Sequence, residues 1–487
     1  MDVGQRPLVK DRLPDWQDCR VTVMGLGRFG GGVAATRWLV DRGARVTVTD
    51  RRAAGELQES LAQLDGVALE SLVLGDHPES AFAGRDVLVV NPAVRPGNRF
   101  VERFREAGIV SSEIELLLSA LPPGVTVIGV TGSNGKSTTS ALIHHLLAER
   151  SGQVWLGGNI GHSLLPDVAR MQRGDIVVLE LSSFQLHYLA EIQLAVDVAV
   201  VTNLTANHLD WHADLSAYAA AKQVLVARQS LRQVAILPAD DAAFDEWRVR
   251  GQRVVFGACD NGEDGVFVED GMLVVRRSAS EDATRLDLPS SLSGVHQQRN
   301  LAAALAAVEQ VDPQRTTVAG LADRLARFQT LPHRQEQVAV HNGIRFVNDS
   351  NATTPESTMA ALESLRGPIT LIAGGASKGV DLSHLAAVIR RRVRHVVLIG
   401  ETAHTLASLI RGEAAGRPHE RASDQVSDVC QVQLSETLEA AFGAAVALVS
   451  QGGIVLLSPA CASFGMFRDY RDRGEQFSKL AKGWTGD

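Results

Sequence analysis

Short runs of valine, isoleucine and leucine, each closed by glycine, asparagine or a charged residue, punctuate this chain and alternate with helical stretches. In the first hundred residues the runs are Val21-Thr22-Val23-Met24, Arg45 to Asp50, the region near Ala68 to Leu74, and Asp86 to Val90. Runs this short and this apolar predict strands buried on both faces of a parallel sheet, with a helix through Ala34 to Leu39 covering it. The middle of the chain repeats the pattern at Val127 to Val130, Ile176 to Glu180, Val196 to Val201, Val234 to Leu237 and Arg253 to Phe256. From about 257 to 290 the pattern loosens into Gly265-Val266-Phe267-Val268 and Met272-Leu273-Val274-Val275, which predicts a small antiparallel insertion. A last set, Ile369 to Ala373, His395 to Gly400 and Ile454 to Leu457, follows Leu331-Pro332-His333-Arg334 and predicts another doubly wound α/β unit. The expected fold class is therefore α/β throughout.

Two glycine-rich turns give these units chemistry. Val127-Ile128-Gly129-Val130 runs into Thr131-Gly132-Ser133-Asn134-Gly135-Lys136-Ser137-Thr138-Thr139, a strand, a loop and a helix start in the order of a phosphate loop. Backbone amides and the helix N-terminus there offer an anion site, Lys136 can lie against β/γ-phosphates, and the Ser137 hydroxyl can ligate Mg²⁺. The T-G-x-x-G-K-S-T spacing is one residue shorter than the usual G-x-x-x-x-G-K-[ST]; the alternative is a glycine-rich turn with a chance lysine. Near the N-terminus, Gly25-Leu26-Gly27-Arg28-Phe29-Gly30 follows a strand and precedes a helix and a second strand ending in Asp50. That is the dinucleotide fingerprint of a Rossmann-like unit, and alone it predicts NAD; a nucleotide-sugar ligand or simple tight packing stays open. The predicted layout is an N-terminal Rossmann-like domain over 1–112, a central P-loop ATPase-like parallel sheet over 113–329 and a C-terminal doubly wound α/β domain over 330–487.

Composition narrows the partners. With 45% apolar and 21% charged residues the chain reads as a soluble globular enzyme, and a formal net charge of −8 argues against general nucleic-acid binding. Cys19, Cys259, Cys430 and Cys461 are scattered without a C-x-x-C, as in a reducing cytosol. No apolar run reaches the roughly 18 residues of a membrane span, so no membrane association is expected. Glu180 ends a strand on the rim of Lys136, a natural Mg²⁺ ligand position, and His208 and Asp210 follow another strand end. His208 and His212 lack a nearby third ligand for zinc. Lys222, in the alanine-rich helix Ser216 to Ala227, reads on its own as an ordinary surface cation.

Taken together the motifs resemble one family. V-T-G-S-N-G-K-S-T, G-G-N-I-G at 157–161, E-L-S-S-F-Q-L at 180–186, N-L-T-x-x-H-L-D at 203–210, Y-x-x-A-K at 218–222, L-P-H-R at 331–334, N-D-S-x-A-T at 348–353 and S-P-A-C-A-S-F at 458–464 resemble the MurD family of UDP-N-acetylmuramoyl-L-alanine:D-glutamate ligases. The resemblance runs from about residue 20 to the C-terminus in family order. It implies a cytoplasmic, monomeric, ATP-dependent ligase of peptidoglycan precursor synthesis whose partners are UDP-N-acetylmuramoyl-L-alanine and D-glutamate. The N-terminal domain would hold the UDP substrate through Gly25, Gly27, Asp50, Arg51, Arg52 and Asn159, which displaces the NAD reading. ATP would meet Gly132, Asn134, Gly135, Lys136, Ser137, Thr138, His296, Asn300, Arg334 and Asp349. Of two Mg²⁺ ions, one would be shared by Ser137 and Glu180 and the other held by His208 and a carbamylated Lys222. Lys136, Glu180, His208 and Lys222 would thus be the catalytic set, and D-glutamate would meet Thr353, Lys378, Ser463 and Tyr470. A carbamate in place of an ammonium beside Mg²⁺ exchanges repulsion for an oxygen ligand.

Three positions depart from the family pattern: Asn351 stands where lysine is usual, Gln297 where asparagine is usual, and Ala93 where glycine is usual, so that its side chain is expected to crowd the backbone facing the substrate. A folylpolyglutamate synthase would carry its phosphate loop near the N-terminus, whereas about 125 residues precede it here. A sister ligase adding diaminopimelate would carry a D-N-P-R segment that this chain lacks, and a nucleotide sensor without catalysis would not need Lys136, Glu180, His208 and Lys222 together.

Overall fold

The computed structural model describes residues 12–160, 162–194, 196–205, 211–257, 263–269, 272–276, 284–287, 295–328, 331–377, 380–412 and 430–486. They form two compact units, the first with two sheets and the second with one. In the first sheet β1 (Arg20–Met24), β2 (Arg45–Asp50), β3 (Ser71–Leu74), β4 (Val87–Val90) and β5 (Ile109–Ser111) lie in the order β3-β2-β1-β4-β5, all parallel. The order reverses between β1 and β4, so the crevice for a ligand opens at the carboxyl ends of those two strands. Helix Gly31–Val40 seals one face by burying Val33, Ala35, Trp38 and Leu39.

The second sheet is built from β6 (Thr126–Thr131), β7 (Val154–Gly158), β8 (Ile176–Glu180), β9 (Val198–Val201), β10 (Val234–Pro238), β11 (Gln252–Gly257), β12 (Gly265–Glu269), β13 (Met272–Arg276) and β14 (Thr284–Asp287). Its order is β14-β13-β12-β11-β10-β9-β6-β8-β7. The strands predicted as an antiparallel insertion do pair antiparallel with each other, but β12 also pairs parallel with β11, so they continue the central sheet. The edge of β11 is thereby covered instead of being left open. The fully buried β8 and β9 sit beside β6, which places three carboxyl ends side by side.

Within this unit the two sheets are joined by specific bonds. Arg12 Nη1 pairs with both carboxylate oxygens of Glu115 at 2.7 and 2.8 Å, and Tyr188 Oη donates to Val94 O at 2.8 Å. The third sheet has β15 (Glu336–His341), β16 (Ile344–Asn348), β17 (Ile369–Gly374), β18 (His395–Ile399), β19 (Gln431–Leu434) and β20 (Ile454–Leu457) in the order β15-β16-β20-β17-β18-β19. Only β15 and β16 are antiparallel. No helix among the described residues is long and apolar enough to cross a membrane.

Candidate active site

The carboxyl rim of the central sheet carries, in spatial order, Asn159 after β7, Glu180 closing β8, the phosphate loop after β6 and residues 202–205 after β9. The loop is preformed. Gly132 has φ +147°, and a Cβ there would stand 1.9 Å from Thr202 Oγ1; Gly135, the N-cap of helix Lys136–Leu147, has φ +79°, and a Cβ would stand 2.2 Å from Asn300 Oδ1. Both positions need glycine, for conformation and for space. Ser133 N donates to Asn203 O at 3.0 Å, Asn134 N to Asn203 Oδ1 at 2.9 Å, and Thr205 N to Ser133 Oγ at 2.9 Å. Anchored this way, the loop presents the start of the helix to an anion.

Two lysines converge on it. Lys136 Nζ donates to Gly132 O and Ser133 O, both at 2.9 Å. Lys222 Nζ donates to the same Gly132 O at 2.7 Å and lies 4.5 Å from the centre of the Tyr218 ring. Asp214 caps helix Leu215–Ala227 and sets its rotation, so that Tyr218 and Lys222, four residues apart, share the inward face. The surface-cation reading of Lys222 is overturned: the residue is 1% exposed. Burial, and then Lys136, push its ammonium pKa well below the usual lysine value, while Glu180 opposes the shift. Tyr218 Oη reaches Ser133 Oγ at 3.0 Å, a tie between this helix and the loop that sequence reasoning missed although the four-residue spacing was there to find it.

Glu180, 1% exposed, accepts from Ser137 Oγ at one carboxylate oxygen and from Asn159 Nδ2 at the other, the latter at 2.7 Å. Asn159 therefore sits on the Glu180 rim beside the phosphate loop. Thr138 is half-buried in the first helical turn, and His296 and Asn300 are on helix Val295–Val311, with Asn300 against Gly135. His208 and Lys378 lie outside the described residues. His212 is buried against Ser183 Oγ at 2.9 Å.

In the first sheet, Asp50 accepts from Gly27 N at 3.0 Å and from Arg52 N at 2.8 Å, tying the glycine turn to the exposed Arg51-Arg52 turn. Both carboxylate oxygens already hold backbone amides, an arrangement different from an acid waiting for a ribose. Asn91 Nδ2 donates to Gly25 O at 3.2 Å, and Ala93 is exposed.

In the second unit, Asp349 is buried after β16 and accepts from Ser458 Oγ at 2.7 Å and Gln335 N at 3.2 Å. Burial pushes its carboxyl up to about 7 against the pull of those bonds and of Arg334. With the Asn351 amide turned so that its oxygen faces the Arg334 donors, that oxygen accepts from Arg334 Nη2 at 3.0 Å and Nε at 3.1 Å. A lysine at 351 would face that guanidinium, whereas the asparagine fixes it. Nothing in the structure explains Gln297. Ser463 is buried in the turn after β20, where Ala460 takes φ +61°; Tyr470 opens helix Tyr470–Gly483, and Thr353 is half-buried beyond Asn351.

Three family models match the chain: the MurD-like N-terminal domain of Mur ligases over residues 19–111, the Mur ligase middle domain over 130–308, and the Mur ligase glutamate ligase domain over 333–461. The chain is 36% identical over 471 residues to a UDP-N-acetylmuramoylalanine–D-glutamate ligase of Trichlorobacter lovleyi, covering 95% of this chain and 98% of the relative. It is 35% identical over 468 residues to the ligase of the same name from Symbiobacterium thermophilum, covering 95% and 98%. Among solved structures, the MurF ligase of Thermotoga maritima in complex with ADP matches with a TM-score of 0.58 at 17% identity, over 96% of this chain and 99% of the other, and shares the fold. The motifs in order, the three matched domains and the near-complete overlap with these relatives lead to one assignment: the chain belongs to the MurD family of Mur ligases.

Proposed function

We propose that this protein is the ATP-dependent ligase that joins D-glutamate to UDP-N-acetylmuramoyl-L-alanine in peptidoglycan precursor synthesis, acting as a monomer in the cytoplasm. The observation that carries the phosphoryl-transfer part is the preformed loop with Lys136 and Lys222 on one carbonyl beside the Ser137–Glu180 pair. The choice of substrates rests on the family relatives and the near-complete overlap with them. In this reading residues 1–112 hold the UDP substrate, 113–329 hold ATP, and 330–487 hold D-glutamate.

The γ-phosphoryl group passes to the L-alanyl carboxylate, forming an acyl phosphate as ADP leaves. The amine of D-glutamate then attacks the acyl carbon, loses a proton and expels phosphate, leaving an amide. Lys136 gives up the carbonyls of Gly132 and Ser133 to meet the phosphate oxygens, and the loop amides hold the charge that accumulates. Ser137 and Glu180 are hard oxygen donors already in contact, which suits Mg²⁺ better than a softer ion. They would hold one Mg²⁺ and His208 with a carbamylated Lys222 the other; when bound, these ions neutralise charge on the transferring group. The carbamate itself forms when the neutral Lys222 amine adds to CO₂ and releases a proton, and burial favours that neutral amine.

The test is phosphate release with UDP-N-acetylmuramoyl-L-alanine, offering D-glutamate, L-glutamate, diaminopimelate, lysine and glycine in turn. Release is expected only with the nucleotide sugar and D-glutamate together. Equal or faster release with diaminopimelate or L-glutamate refutes the reading.

A further inference from the structure

The second unit buries a cation that no carboxylate among the described residues pairs with; the acid acting on it is the Cys461 thiol. Arg473 is 0% exposed, among the largest fully buried side chains of the described residues, and it lies in the first turn of helix Tyr470–Gly483, where the helix dipole repels positive charge. Among the described residues no carboxylate forms an ion pair with it, and burial pushes its pKa down to about 10. A buried charge placed against the dipole and left without a counterion is costly, so its retention needs a reason.

Its contacts supply one. Nε donates to Ser350 Oγ at 3.0 Å, Nη2 to Ser350 O at 2.8 Å, and Nη1 to Cys461 O at 3.2 Å. Ser350 Oγ in turn donates to Tyr470 O at 2.7 Å. One guanidinium thus fixes the segment after β16, the turn after β20 and the start of the last helix. Those three segments carry Asp349, Thr353, Ser463 and Tyr470. The atoms it binds are neutral oxygens, so the fork is occupied while the charge stays uncompensated.

We propose that Arg473 is a specificity-determining positioning residue for an anionic amino acid: it sets the geometry of the Ser350 segment and the Cys461–Ser463 turn, and its charge is balanced when a ligand carboxylate settles on that turn. This rests on the reading of residues 330–487 as the D-glutamate domain. The expected preference is for a side-chain carboxylate over its neutral amide.

The test uses the full-length enzyme, Arg473→Met and Arg473→Lys, with phosphate release read against ATP, the nucleotide sugar, D-glutamate and D-glutamine, and with thermal melts of each variant. Arg473→Met is expected to raise KM for D-glutamate by about tenfold, through loss of the buried charge and of the turn geometry it fixes, and to narrow the preference over D-glutamine by a similar factor. KM for ATP and for the nucleotide sugar should move far less. Arg473→Lys keeps the charge without the fork, so KM for D-glutamate still rises while the preference over D-glutamine is largely restored. A common rise in all three KM values, or an unchanged KM for D-glutamate, overturns the inference. If Arg473→Met does not fold, Arg473→Lys decides alone by the same readings. Wild-type enzyme that releases no phosphate with D-glutamate overturns the assignment of the domain and this inference with it; active wild type with unaltered variants overturns this inference alone.

Discussion

Replacing Lys222 by methionine separates the fold's use of this residue from its chemistry. Its ammonium and that of Lys136 lie 2.7 and 2.9 Å from the same Gly132 oxygen, so the two charges are less than about 6 Å apart. With both amines charged, that repulsion at an effective dielectric constant near 20 would be on the order of 3 kcal/mol, and it sets the upper limit of what Lys222 costs the fold, since the ammonium pKa is pushed well below the usual lysine value. Glu180 offsets part of it, and the lost hydrogen bond costs about 1 kcal/mol. Gly132 O keeps Lys136 as donor and the methionine fills the aliphatic path, so no polar atom is orphaned and no large cavity opens. In CO₂-free buffer Lys222→Met is therefore expected to equal or exceed wild type by about 1 kcal/mol in chemical denaturation. Bicarbonate should stabilise wild type, because a carbamate turns the repulsion from Lys136 into attraction, and should leave Lys222→Met unmoved. Phosphate release by the variant should fall by roughly two decades or more, as for other lost electrostatic elements. A variant clearly less stable than wild type refutes the electrostatic reasoning. Full activity, or equal stabilisation of both proteins by bicarbonate, refutes the carbamate.

Lys136→Ala removes the charge poised at the loop, and kcat is expected to drop by roughly two decades or more in the phosphate assay, with near-normal turnover as the refuting result. Asp349→Asn tests the buried carboxyl by denaturation across pH. With a folded pKa of about 7 against about 3.9 unfolded, the stability from the bound proton is complete below about pH 4 and is lost as pH rises through about 7. The variant lacks that slope, so its stability relative to wild type should grow from pH 4 to 8, and parallel curves would contradict the assignment.

What was legible in the sequence follows from what each residue needs from its neighbours. The phosphate loop could be read because strand, glycines, lysine and helix start are contiguous, and β6 confirms the run from Val127 to Val130 almost residue for residue. The strands that went unread, β5, β7, β15, β16 and β19, include four sheet edges. Edge strands need no continuous apolar run, and β19 (Gln-Val-Gln-Leu) is mostly exposed. Asn159 meets Glu180 because β7 and β8 pair in parallel with Gly158 opposite Glu180, a register no local pattern encodes.

The harder cases are the buried cations. Alanine-rich surroundings are compatible with either a buried or an exposed helix face, so the four-residue spacing puts Tyr218 and Lys222 on one face of their helix without saying that this face turns inward. Arg473 is flanked by Asp472 and Glu475 in a polar run, which reads as solvent-facing, yet the chain folds Ser350 and Cys461 around it. Asn351 stands where lysine is usual, and its environment is set by Arg334, separated from it along the chain, which donates to its amide oxygen. In each case the deciding partner is a backbone carbonyl, a carboxamide or another cation brought in by tertiary structure. Local patterns report the apolar content of a segment, whereas the environment of a charge depends on which carbonyls the fold turns toward it. The residues whose environments are least visible in sequence are here those whose charges the proposed chemistry uses.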